Sequence, residues 1–234
     1  MTVPYGRQWI DEADVAAVTG ALRSELLTQG PRVAAFEHAF ADWLGVPHAV
    51  AVANGTAALH LACVVAGLGG GDGAVTSPIT FLASANCAVY CGARPSFADV
   101  DPERLTLDPA ALEQSVKRGR ASTPVRVVIP VHLAGQPADM EAIYEVARRY
   151  GLVVIEDAAH ALGATFVGRS GATHRVGDGS FADLSVFSFH PVKHVTTGEG
   201  GMITTNNGSL AARLRDLRNH GIIREPDRLT KNEG

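Results

Sequence analysis

Residues 152–157, Leu152-Val153-Val154-Ile155-Glu156-Asp157, decide how this chain folds. Their apolar run lacks the every-second-residue alternation of a strand with one wet face, so this strand is covered on both sides. Residues 126–131, R-V-V-I-P-V, repeat the pattern. Between the two lies a helical stretch with Met140, Ile143, Tyr144 and Ala147 turned inward and Gly151 as its stop. Apolar strands alternating with helices predict an α/β fold built on a mainly parallel sheet flanked by helices on both faces. In such sheets the carboxyl ends of the strands carry the functional side chains, and Asp157 stands at one of those ends.

Downstream of Asp157, residues 163–179 turn glycine-rich and polar, which predicts a β-hairpin-like excursion, and residues 184–189 form another short buried strand. A proline turn then leads to Lys193 and the glycine-rich exit H-V-T-T-G-E-G-G. A lysine after a strand is more often solvated than catalytic. Its neighbours change that balance: Ser188 precedes it, and Thr196, Thr197, Gly198, Gly200 and Gly201 follow, offering hydroxyls, backbone N–H groups and room for close backbone approach. A further strand is expected at residues 200–205 and a basic helix from Leu210.

Upstream, residues 49–62 run from a strand through Asn54 and Gly55 into a helix expected to begin at Thr56. Strand, glycine turn and helix N-terminus together make an anion site, although a threonine there is more commonly an N-cap alone. Residues 79–90 are expected to be helical with Phe81 near the start, either stacking on a flat ring or packing in the core. Residues 95–100 read as a strand and 108–117 as a helix. Nearer the N-terminus, Val15, Val18, Leu22 and Leu26 predict one amphipathic helix, and Val33, Phe36, Phe40 and Trp43 a second, which closes at Gly45. The chain divides into an extended segment (1–10), a large domain (11–220) and a polar tail (221–234).

Composition narrows the function. Hydrophobic residues make up 46% and charged residues 19%, as in ordinary globular proteins. A net charge of -4 supplies no basic footprint for nucleic acid, and no basic run suggests a membrane surface. Cys63, Cys87 and Cys91 lack C-x-x-C spacing and read as reduced core thiols, and the N-terminus has no export-signal pattern, so a cytoplasmic protein is expected. His190 and His194 stand four apart, but Pro191 between them argues against a helix and no third ligand is evident, so no metal is assigned. Ser188 lacks the G-x-S-x-G elbow of a hydrolase nucleophile.

A desolvated lysine able to form a Schiff base, a carboxylate for a pyridinium nitrogen and a phosphate cup are what pyridoxal phosphate (PLP) requires of a protein. Lys193, Asp157 and the group Thr56, Ser188 meet that description. Burial would favour the neutral amine of Lys193, which could then also move protons as a general acid and base. His160 would sit beside the cofactor or orient the aspartate.

The segments N-G-T-A-A-L-H-L-A (54–62), S-P-I-T-F-L-A-S-A-N-C (77–87), V-I-E-D-A-A-H-A-L-G (154–163) and S-F-H-P-V-K-H-V-T-T-G-E-G-G (188–201), in this order, resemble the DegT/DnrJ/EryC1/StrS family of PLP-dependent nucleotide-sugar aminotransferases. Y-G-R-Q, L-T-Q-G-P, V-H-L-A-G-Q-P-A-D-M and F-S-F-H-P-V-K are most similar to its branch serving pseudaminic acid biosynthesis. The resemblance implies the large domain of PLP fold type I, with a mainly parallel mixed sheet flanked by helices. It implies an internal aldimine at Lys193, Asp157 on the pyridine nitrogen, Thr56, Ala57 and Ser188 at the phosphate, Phe81 stacked on the ring and His160 nearby. The implied reaction moves an amino group from L-glutamate to C4 of a UDP-linked 4-keto-6-deoxy-N-acetylhexosamine. Sister enzymes act on other nucleotide keto-sugars, and a non-catalytic protein of this fold would bind PLP without reacting with glutamate. A homodimer with shared active sites is also implied. Family members add a C-terminal small domain, which the resemblance places beyond Gly234.

Overall fold

In a computed structural model, which describes residues 6–119 and 123–223, the apolar runs become the middle of a seven-stranded sheet. The strands are β1 (His48–Val52), β2 (Gly73–Thr76), β3 (Arg94–Phe97), β4 (Val125–Ile129), β5 (Val153–Asp157), β8 (Leu184–Ser188) and β9 (Gly201–Thr205), in spatial order β1-β9-β8-β5-β4-β2-β3. Pairings from β8 through β5, β4 and β2 to β3 are parallel. The pairs β8/β9 and β1/β9 are antiparallel, which makes the sheet mixed. The expected excursion is the hairpin β6 (Thr165–Val167) and β7 (Thr173–Arg175).

Both faces of the sheet are covered, which explains the strands' lack of alternation. Val127, Ile129, Ile155, Leu184 and Ile203 face α3 (Gly55–Val65), α4 (Ala83–Tyr90) and α7 (Gly208–Arg218). Val75, Val128 and Val154 face α5 (Pro109–Gly119) and α6 (Met140–Tyr150). On the same side as those two helices, Phe187 and Met202 pack with Phe40 and Leu44 of α2 (Pro31–Leu44). Chain order reverses between β2 and β4: from β2 the chain moves outward to β3, then returns to the other side of β2. A crevice opens at the carboxyl ends of the strands at such a reversal.

Several expectations change in detail. The first helix, α1 (Glu12–Leu22), is capped by Asp11, which accepts from Ala13 N–H and Asp14 N–H, yet none of its residues is buried. Val15, Val18, Leu22 and the following Leu26, expected to face a core, point to solvent. Helix α3 starts at Gly55 with Asn54 as its N-cap, so Thr56 lies inside the first turn. Residues 79–82 are not helical, and α4 begins only at Ala83. On α2 the inward face includes the buried Glu37 and leaves Trp43 half exposed. Glu37 accepts from Ala51 N–H at 2.8 Å and pairs with Arg218, whose guanidinium donates to Ala51 C=O at 3.1 Å, so these side chains satisfy the open edge of β1. Of the expected extended segment (1–10) and polar tail (221–234), residues 1–5 and 224–234 lie outside the described residues.

Candidate active site

The crevice holds a cavity of about 680 Å³ whose wall includes Thr56, Phe81, Asp157, His160, Ser188 and Lys193. These six come from four separate chain segments, and the sheet brings them together. Ala57 is not on that wall: its N–H donates to the Asn54 side chain at 2.8 Å, closing the first turn of α3. No hydrogen bond among the described residues engages the N–H groups of Gly55 and Thr56, which the helix terminus presents to the cavity.

Lys193 sits in a loop pinched off by the β8/β9 pair. Phe189 N–H donates to Gly200 C=O at 2.8 Å and Thr197 N–H to Phe189 C=O at 3.0 Å, closing the neck. Within it, His190-Pro191-Val192-Lys193 is a turn closed by Lys193 N–H donating to His190 C=O at 2.8 Å, with proline at its favoured second position. The hydroxyls of Thr196 and Thr197 donate to Phe189 C=O at 3.0 Å and Glu199 C=O at 2.7 Å. They shape the loop that presents the lysine. Desolvation pushes the Lys193 amine below its ordinary value, and the attraction of Asp157 opposes this only in part.

Asp157 ends β5 and is almost fully buried. Oδ1 accepts from Ala159 N–H at 3.2 Å, and Oδ2 accepts from Ser84 Oγ at 2.7 Å. Each oxygen has a second lone pair, so the carboxylate can still accept a proton donor from the cavity. His160, half-buried, is lowered by desolvation first and then by the positive field of Lys193. Its Nδ1 accepts from Ala134 N–H at 3.4 Å, which leaves Nε2 as the protonated nitrogen of the neutral ring. Phe81 is 69% exposed and belongs to the cavity wall, so its ring face is open.

Two arrangements escaped the sequence reading. One is Ser84 with Thr80, whose hydroxyls lie 2.8 Å apart: Ser84 is buried against Asp157, and Thr80 belongs to the cavity wall. The other is fully buried: His132 Nε2 lies 2.8 Å from Glu156 Oε1, Ser185 Oγ donates to Glu156 Oε2 at 2.5 Å, and His132 Nδ1 accepts from Ala138 N–H at 3.0 Å. Since Nδ1 accepts, Nε2 is the donor to the glutamate. That network ties β5 to β8 and to the loop after β4, whose Val131 and Leu133 line the cavity. A helical serine at i+4 from Thr80 and a glutamate in an apolar strand were the available signals; neither names its partner.

The chain belongs to the DegT/DnrJ/EryC1/StrS aminotransferase family, which it matches over residues 8–234. It is 49% identical over 200 residues to the GDP-perosamine synthase of Caulobacter vibrioides, covering 85% of this chain and 50% of that protein. To the UDP-4-amino-4,6-dideoxy-N-acetyl-beta-L-altrosamine transaminase of Campylobacter jejuni it is 38% identical over 223 residues, 95% of this chain and 56% of that one. Its fold matches Helicobacter pylori PseC, an aminotransferase involved in the biosynthesis of pseudoaminic acid, with a TM-score of 0.84 and 30% identity, covering 96% and 58% of the two chains. The chain thus spans about half the length of the curated relatives it matches.

Aminotransferases of this family are PLP-dependent, and the donor set fits that cofactor. An amine shifted toward neutrality, a buried carboxylate with spare acceptor capacity, an open aromatic face and a helix N-terminus with two N–H groups unengaged among the described residues share one cavity. Backbone spacing supports the phosphate end: a Cβ on Gly201 would stand 2.6 Å from Asn54 C and O, and one on Gly55 would stand 3.0 Å from Ser188 Cβ. Only glycines let β9, Ser188 and the α3 terminus approach this closely.

Proposed function

We propose that this protein is a PLP-dependent aminotransferase that moves an amino group from L-glutamate to C4 of a UDP-linked 4-keto-6-deoxy-N-acetylhexosamine, the step proper to pseudaminic acid synthesis. The observation that carries it is the pairing, across one cavity, of an amine driven toward its neutral form with a buried carboxylate. Bound there, PLP supplies a ring that draws electrons from the carbon bearing the amino group. Thr56, Ser188 and the Gly55 and Thr56 N–H groups would hold the phosphate, Phe81 would cover one ring face, and Asp157 would hold the proton on the ring nitrogen. Lys193 Nζ would be the group that holds the cofactor and, with its amine free, would move a proton between carbons as general acid and base. His160 Nε2–H would be available to donate to the oxygen substituent of the ring.

The sugar assignment draws support from the likeness to the Campylobacter jejuni transaminase and to Helicobacter pylori PseC. The higher identity to the GDP-perosamine synthase favours a second reading, in which the keto-sugar carries GDP. We extend the proposal to a cytoplasmic homodimer, supported by the apolar side chains left exposed on α1 and beside the cavity.

The test is a visible absorbance spectrum with PLP, before and after L-glutamate, with Lys193→Ala as control. A band that forms only when Lys193 is present and is consumed by glutamate supports the aminotransferase; its absence in the unaltered protein rejects it. Supplying UDP- and GDP-linked 4-keto-sugars to the glutamate-treated protein then separates the two sugar readings by which one restores the band.

A further inference from the structure

Asp157 does not face the cavity alone. Its Oδ2 receives a 2.7 Å hydrogen bond from Ser84, a residue 1% exposed in the first turn of α4, and Oδ1 receives one from Ala159 N–H. An ionised carboxylate only accepts, so the single hydroxyl proton of Ser84 is committed to Asp157. The 2.8 Å contact between Thr80 and Ser84 can therefore run in one direction only, Thr80 donating to Ser84. The result is an ordered chain, Thr80 to Ser84 to Asp157, with Thr80 immediately before Phe81 in sequence. Successive hydrogen bonds polarise one another in a medium of low dielectric, so the outer hydroxyl strengthens the inner one.

Two consequences follow for a ligand in the cavity. Rotation of the carboxylate about its Cβ–Cγ bond is blocked, because each oxygen is held by a donor on a different element, α4 for one and the turn after β5 for the other. The non-helical segment 79–82 that carries the exposed Phe81 is also linked to the carboxylate, through Thr80 and Ser84. A buried hydroxyl satisfied for packing alone could donate to any backbone carbonyl; here the hydroxyl is spent on Asp157, the buried one of the two carboxylates, Asp157 and Glu199, that line the cavity among the described residues.

We propose that Ser84, backed by Thr80, is a positioning residue that sets the orientation of Asp157 toward the cofactor's ring nitrogen. This rests on the PLP reading above. Hydrogen bonds to a charged group are strong enough that losing one weakens an equilibrium about tenfold or more. Ser84→Ala should raise the PLP dissociation constant about tenfold and shift the pH midpoint of the Lys193-dependent absorbance band by about half a unit or more, since one unit corresponds to about a tenfold change. Thr80→Val, close to isosteric and not fully buried, should move both in the same direction by less, while Thr80→Ser restores them. The melting temperature of the cofactor-free Thr80 variants should match that of the unaltered protein.

A purely structural role would lower melting temperature and leave the midpoint in place. If the unaltered protein forms the band and Ser84→Ala keeps the same midpoint and a dissociation constant within about twofold of it, the inference is wrong and the aminotransferase reading stands. If the unaltered protein forms no Lys193-dependent band, both fall. Should Ser84→Ala fail to fold, the Thr80 pair decides: equal midpoints for Thr80→Val and Thr80→Ser would overturn the proposal.

Discussion

Lys193 shows how a site can be tuned by opposing effects. Desolvation lowers its amine below 10.5, and the Asp157 carboxylate pulls it back up. The rate of PLP uptake should accordingly rise with pH as the amine deprotonates, with a midpoint below 10.5. In Asp157→Asn the midpoint should fall further, because the charge that favoured the ammonium is gone; stopped-flow absorbance across a pH series reads both. Replacing Lys193 by alanine should slow the half-reaction with glutamate by about 100-fold to 10,000-fold, the range of a positioned acid–base group, even at full PLP occupancy. His160 offers a stability counterpart. Burial and Lys193 lower its folded value below 6.5, so the unfolded chain binds the proton more readily. Its contribution is intact above 6.5 and is lost as pH falls through the lower folded value. His160→Gln should flatten the decline of melting temperature in that acidic window. The sequence pointed to Lys193, Asp157, Ser188 and His160 because each follows a recognisable buried strand; Ser84 stayed hidden because its partner lies on an element 73 residues away.

At the scale of elements, the site depends on how closely β9, β8 and α3 can approach. A Cβ at Gly201 would lie 2.6 Å from the Asn54 carbonyl, against backbone that cannot swing aside. Gly201→Ala should cost about 1–3 kcal/mol in urea unfolding, the usual cost of overpacking, and should weaken PLP binding as well. The His132–Glu156–Ser185 network has another role, joining β5 and β8 to the loop after β4. His132→Ala strands Glu156 Oε1 and Ala138 N–H without their partner, at about 1–3 kcal/mol for each unsatisfied group. Urea midpoints for His132→Ala and Ser185→Ala should both drop, with His132 the larger because it serves two partners. β4 and β5 were legible as near-continuous apolar runs, and β8 as a short strand of aromatic and β-branched residues alternating with serines. The direction of β9 was not, since a short buried strand reads the same whichever way its neighbour runs, and pairing depends on the length and path of the loop before it.

For the whole molecule, the exposed apolar surface is the main departure from expectation. Periodicity located α1 correctly, but Val15, Val18 and Leu22 pack on nothing described, and Leu22 is 64% exposed. The chain should therefore self-associate. Val18→Glu combined with Leu22→Glu should shift sedimentation toward the monomer while melting temperature stays nearly constant, because surface substitutions that break no packing change stability by about 0.5 kcal/mol or less. An unchanged sedimentation coefficient would show that α1 plays no part in association. Among the described residues no helix is long and apolar enough to cross a membrane. The sequence by itself determined the alternation of strands and helices, the doubly covered sheet and the residue types the site needs, because those follow from periodicity, glycine placement and strand ends, all local properties of the chain. Only the tertiary structure decided the antiparallel edge, the outward face of α1, the loss of Ala57 from the cavity wall, and the hydrogen bonds behind Asp157. These arise where side chains distant in sequence compete for the same donors, acceptors and space, and that competition exists only once the sheet has assembled.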